Sequence, residues 1–80
     1  MRVIVKRRWR KNSNEQDEIS TYMPKRTTEL TKLLRELWER EYNSYDPEPD
    51  REESWLKEKH ARIENDIYVT EYFVTTLVEV

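Results

Sequence analysis

Lys6, Arg8 and Arg10 stand at every second position of the opening segment MRVIVKRRWRK, with Arg2, Arg7 and Lys11 beside them and no acid among the first eleven residues. Cations two apart lie roughly 7 Å from one another along one side of an extended chain, where a strand lines them up against phosphates or carboxylates. The opposite chemistry lies downstream: residues 41–80 hold eleven acids against four bases, a local balance of −7 against +6 at the start. Asp46, Glu48, Asp50, Glu52 and Glu53 crowd around two prolines, and Tyr42 and Tyr45 come just before them. Carboxylates and aromatic rings in that mixture imitate the phosphates and bases of a nucleic acid, and suit occupation of a cationic surface on another protein. The formal net charge of −2 conceals both fields.

Catalysis has little to work with. His60 is the only histidine, and the four serines sit in no nucleophile motif. Close carboxylate pairs are unavoidable when 17 acids share 80 residues, so they diagnose nothing. His60 and Glu64, four apart, offer two metal ligands without a third. The absence of cysteine removes thiolate sites and disulfide frameworks, and the absence of glycine removes phosphate loops, dinucleotide fingerprints and calcium loops. A non-enzymatic protein with no cofactor and no metal site is expected. The apolar run Val3 to Val5 is shorter than the roughly 7–15 residues of a signal peptide, and no stretch of about 20 apolar residues occurs. With no cysteine, these features point to a cytoplasmic protein, in the host cytoplasm if the source is a virus.

Eighty residues make a single domain that buries only about 60% of the surface its unfolded chain exposes. Charged residues make up 40% of the chain, close to a disordered composition, but three Trp, five Tyr and clear apolar periodicity argue for a folded core rich in aromatic rings. Residues 1–23 read as a basic β-hairpin. Val3, Val5 and Trp9 point to the core and the cations outward, and Asn12 to Asn14 turn the chain because Asn tolerates the left-handed region. Leu30, Leu33, Leu34, Leu37, Trp38 and Tyr42 form one stripe of a helix over 26–43, with Thr27 or Thr28 as its cap. A proline-containing linker covers 44–49. Asp50 followed by Glu53 resembles a helix start, so an acidic second helix is expected over 50–65, with Leu56, His60 and Ile63 on its inner stripe. The β-branched run over 67–80 reads as a long strand with Tyr68, Tyr72 and Val74 on one face and Glu71 and Phe73 on the other. The expected architecture is therefore α+β, in the order ββααβ: a small antiparallel or mixed three-stranded sheet with two helices packed on one face.

The last strand is expected either beside the first in parallel or beside the second antiparallel, its Glu71 and Glu79 on the same face as Lys6, Arg8 and Arg10. An exposed terminal edge would also allow two copies to pair into a homodimer.

Two classes of function remain. The first is a protein-binding module that occupies a surface of a larger, nucleic-acid-handling partner through the acidic helix and linker, the basic strand, or both. Small size, heavy charge and lack of a cofactor make it similar to virus- or plasmid-encoded inhibitors of host defence, anti-CRISPR proteins among them. The second is direct DNA or RNA binding through Lys6, Arg8, Arg10 and Lys11, with Trp9 able to stack on an unpaired base if exposed. As a variant of the second, Ile19-Ser20-Thr21-Tyr22-Met23-Pro24 ahead of two helices resembles the strand, proline and helix order of ribbon-helix-helix repressors over residues 18–64. That resemblance implies a dimeric ribbon reading the major groove. The chain departs from it in having no glycine at the helix connection, in presenting Ser20 and Tyr22 instead of basic residues on the outer strand face, and in its terminal strand.

Overall fold

The computed structural model describes residues 2–13, 18–24 and 29–76. Alternation of β-branched and charged residues makes an extended strand of Arg2–Arg10 (β1), which turns back at Lys11 and Asn12 into Glu18–Tyr22 (β2). Asn12 has φ of 59°, the left-handed conformation that asparagine tolerates and that a glycine-free chain needs for such a turn. Leu30–Ser44 forms a helix (α1), followed by Trp55–Leu56 (β3), His60–Glu64 (β4) and Tyr68–Thr76 (β5). The five strands make one antiparallel sheet in the order β2-β1-β5-β4-β3.

This corrects the expected fold: the sheet has five strands, not three, and one helix lies on it among the described residues, not two. Residues 50–65 are the reason. Asp50 accepts hydrogen bonds from the backbone N–H of Glu52 and Glu53 at 2.9 and 3.4 Å, the geometry of a helix start, but the bonds close an isolated turn. Beyond it, burial alternates residue by residue: Ala61 and Ile63 are buried, and His60, Arg62 and Glu64 are half-buried on the other face. Leu56, His60 and Ile63 share a stripe only if the chain is helical. Pairing with β5 on one side and β3 on the other overrides that local preference. The terminal strand is also placed differently. It runs antiparallel to β1 and lies in the middle of the sheet, so the edges are β2 and β3 and not the terminal strand. The expected strand–helix–helix repressor order is lost with the second helix, and β2 pairs within the chain.

One face of the sheet carries α1. Ile4 on β1, Ala61 and Ile63 on β4, and Tyr72 on β5 pack with Leu30, Leu34, Leu37 and Tyr45 into a core to which Tyr22, Leu33, Trp38, Leu56, Tyr68 and Val74 add partly buried surface. The Tyr72 hydroxyl donates to the Leu37 carbonyl at 3.3 Å, and the Trp38 indole N–H to the Arg62 carbonyl at 3.1 Å, so the large rings bury their bodies and satisfy their polar ends. Helix α1 matches the helix expected over 26–43 in all but its start. Glu29 is its N-cap without a side-chain bond, and Thr27 and Thr28 lie outside the described residues, as do Leu77 to Val80 of the expected terminal strand.

Leu34 is 1% exposed at the centre of this core. Leu34→Ala is expected to lower unfolding free energy by about 2–5 kcal/mol, read as a lower urea midpoint with little change in slope.

Candidate functional site

The register decides where the cations go. Lys6 lies opposite Tyr72 and Arg8 opposite Thr70, so Lys6, Arg8 and Arg10 share the parity of Ile4 and the face that bears the helix. The expected outward-facing basic ladder is thereby corrected. Lys6 Nζ is 3.0 Å from Glu41 Oε2, and both side chains are nearly buried. The Arg8 guanidinium is 3.5 Å from Glu41 Oε1, an ionic contact without hydrogen-bond geometry, and stacks 4.7 Å over the Tyr68 ring. Glu41 falls on the same stripe as Leu30, Leu34 and Leu37, at i+11 from the first, which is why a helix carboxylate is aimed at the strand. Lys11 continues past β1 to Glu64, with Nζ 3.0 Å from Oε2. Of the four expected basic contacts, Arg10 alone is exposed.

On the side of β1 read as core, Val3 is fully buried as expected, whereas Val5 and Trp9 are half-buried. Glu71 lies there opposite Arg7, not beside Lys6 and Arg8 as expected. Trp9 is half-buried on this face beneath the Arg7 guanidinium, 4.9 Å from its ring, and lies outside the main core. His60 sits between Trp55 and Phe73, with ring centroids at 4.7 and 4.5 Å, and its Nε2 is 2.8 Å from Glu71 Oε2. It therefore lies on a strand and not on the inner stripe of a helix. His60 and Glu64 end opposite ends of a five-residue strand, too far apart to share an ion, and no group of three potential ligands gathers among the described residues.

The acidic segment is held differently. Its seven expected contacts divide into two rings that face inward and five carboxylates that face water. Tyr45 is buried: its hydroxyl donates to the Ile63 carbonyl and hydrogen-bonds the Thr70 hydroxyl, and burial pushes its pKa up to about 12 against the lowering effect of the Thr70 bond. Tyr42 is half-buried and stacks on Trp38, with centroids 4.8 Å apart. Neither ring presents itself as a base mimic. Asp46, Glu48, Asp50, Glu52 and Glu53 are all exposed, on a loop pinned at both ends to the far side of the sheet. Asn65 Nδ2 donates to the Pro47 carbonyl at 2.8 Å, and the Asp50 N–H donates to the Glu64 carbonyl at 2.7 Å. The Ser54 hydroxyl accepts from the Glu64 N–H at 3.0 Å and lies 3.4 Å from its carbonyl.

Glu64 itself is a junction. Arg62 and Lys11 both reach its carboxylate, and the Arg62 hydrogen bond, followed by the Lys11 contact, holds its pKa below the usual carboxylate value despite partial burial. Sequence reasoning missed Glu41, Asn65 and Ser54, and considered Glu64 only as a metal ligand beside His60. Only Glu41 carried a signal, its place on the leucine stripe. The other three act through strand pairing that the sequence does not display. No family model, curated protein or solved structure matches the chain.

Glu41→Gln leaves Lys6 without its counter-charge and is expected to cost about 1–3 kcal/mol in urea unfolding, while Lys6→Met with Glu41→Leu together recovers most of that loss. The tyrosines set an alkaline limit. Burial raises both Tyr45 and Tyr72 above the ordinary value of 10.0, so the stability this confers is complete below pH 10 and disappears as pH rises through the folded-state values. Tyr45→Phe is expected to reduce the slope of stability against pH above 10, measured by urea titrations at stepped alkaline pH.

Proposed function

We propose that the protein is a non-enzymatic binding module that presents the acidic loop 46–53 to a cationic surface on a larger, nucleic-acid-handling protein, occupying a place that nucleic acid otherwise takes. The observation that carries this reading is the exposure of five carboxylates on a loop tied to the β4 end by the Pro47, Asp50 and Ser54 bonds. One cation, Arg51, lies among them, for a local balance of −4 from five acids and one base. A loop fixed before binding loses less conformational freedom on association than a mobile tail does. Complementary charge accelerates encounter and selects the partner's basic surface. The mimicry lies in the carboxylates alone, because Tyr42 and Tyr45 serve the fold. An inhibitor of the anti-CRISPR kind, working in a cytoplasm, is one form such a module takes.

Direct nucleic-acid binding through β1 has less support. Lys6 and Arg8 are paired with Glu41 and Lys11 with Glu64.

Tagged wild-type chain and a Glu48→Lys, Glu52→Lys, Glu53→Lys variant, compared on extract from the native source, test the proposal. The wild type is expected to capture a partner that short duplex DNA or raised salt releases, and the variant, with an unchanged circular dichroism spectrum, to capture less than about a tenth as much. Equal capture by the variant refutes the assignment to this loop. Steeply salt-dependent binding of the isolated wild-type chain to DNA or RNA transfers the function to direct recognition.

A further inference from the structure

We propose that a second copy of this chain adds to the edge of β2, antiparallel and centred on Thr21, so that two sheets join across a two-fold axis. The two edges of the sheet are unlike. β3 is two residues long, too short to template a neighbour, whereas β2 runs over five residues and, among the described residues, pairs only with β1. Glu18 is the single charge from Glu18 to Met23, and no lysine or proline interrupts the strand before Pro24. Among the described residues of this edge, the usual charged and proline guards against pairing are therefore missing.

The exposed apolar residues select the partner. Ile19 is 66% exposed and Met23 62% exposed, and they are two of the three large apolar side chains left in water among the described residues. Antiparallel self-pairing centred on Thr21 sets Ile19 opposite Met23 of the other copy, and by symmetry Met23 opposite Ile19, with the two Thr21 residues facing each other between them. Each exposed apolar chain thus meets another, and facing threonines are themselves a favourable cross-strand pair. Glu18 falls opposite Pro24 and meets no like charge. Centring on Ser20 instead places Ile19 against Thr21 and leaves Met23 beyond the paired strands. A surface complementary to itself in this way makes a closed two-fold dimer and not a growing fibre. The acidic loop is fixed to the β4 end, across β1 and β5 from this edge, so the dimer carries two acidic loops at its outer ends.

The absence of cysteine makes the test direct. Facing residues in an antiparallel pair have Cα atoms about 4.5–5.5 Å apart, within reach of a disulfide. Full-length Thr21→Cys is expected to form a covalent dimer under mild oxidation, and Ser20→Cys is not. Wild-type mass by light scattering is expected to rise from one chain to two with concentration. Ile19→Lys with Met23→Lys, both at exposed positions, should weaken that association by about tenfold or more with an unchanged circular dichroism spectrum. Wild-type chain that stays monomeric up to about 1 mM overturns the proposal, as does cross-linking of Ser20→Cys at least as efficient as that of Thr21→Cys. The acidic-loop reading is untouched by either failure, because its triple-lysine variant alters no residue of β2.

Discussion

The helix can lie on this sheet because Glu41 meets Lys6 and Arg8 beneath it. β1 offers the helix side Ile4 and then three cations in succession, Lys6, Arg8 and Arg10, a row that no apolar stripe could cover without stranding charge. Continuing the Leu30, Leu34, Leu37 stripe with a glutamate places the counter-charge where the row begins, and the Lys6 stem and the Arg8 stack on Tyr68 complete the layer with carbon. Such a pair adds less stability than a well-packed leucine would. What it does is join the last turns of the helix to the middle of β1, on the face where Lys6 and Arg8 stand opposite Tyr72 and Thr70.

A chain without glycine must turn by other means, and the solutions it uses also shape the candidate interface. Asn12 takes the left-handed conformation at the first turn. Asn65 accepts from the N–H groups of Ile67 and Tyr68 to close the β4–β5 turn, and with its amide holds the Pro47 carbonyl. Asp50 closes the turn ahead of β3. Two of these polar side chains, Asn65 and Asp50, belong to or anchor the acidic loop, so the bonds that replace glycine also hold the carboxylates in place. A loop built for flexibility would present the same charges at a greater entropic cost on binding.

The two faces of the sheet then divide the labour. The helix side is a core with an ionic margin. The side away from the helix is a lattice in which Trp55, Arg62, Glu71, Arg7 and Ile19 follow one another across five strands, with His60, Phe73 and Val5 in the next row. Arg62 bridges Glu64 and Glu71, so those charges neutralise one another, whereas five exposed carboxylates and Arg51 share the loop.

Much of the architecture was legible without coordinates. The hairpin at the start, the leucine helix, the asparagine turn and the division of Tyr68, Tyr72 and Val74 from Glu71 and Phe73 all follow from periods of two or 3.6 and from the φ preferences of single residues, which are local properties of the chain. The exposed acids around Pro47 and Pro49 were legible for the same reason, since density of charge keeps a segment in water. The second helix was misread because Asp50 and Glu53 imitate a cap and Leu56, His60 and Ile63 imitate a stripe, while the alternation in His60–Glu64 becomes decisive only when strands stand on both sides. The orientation of β1 was likewise beyond local reading. Val3 and Ile4 are both fully buried, so apolar content does not distinguish its faces, and the one that bears the helix is the one whose Lys6 meets a carboxylate 35 residues away. Pattern along the chain settled which segments are extended, helical or wet. Which side of a strand is interior, and which rings are core instead of contact, was settled by partners distant in sequence, because ion pairing and strand pairing act through space.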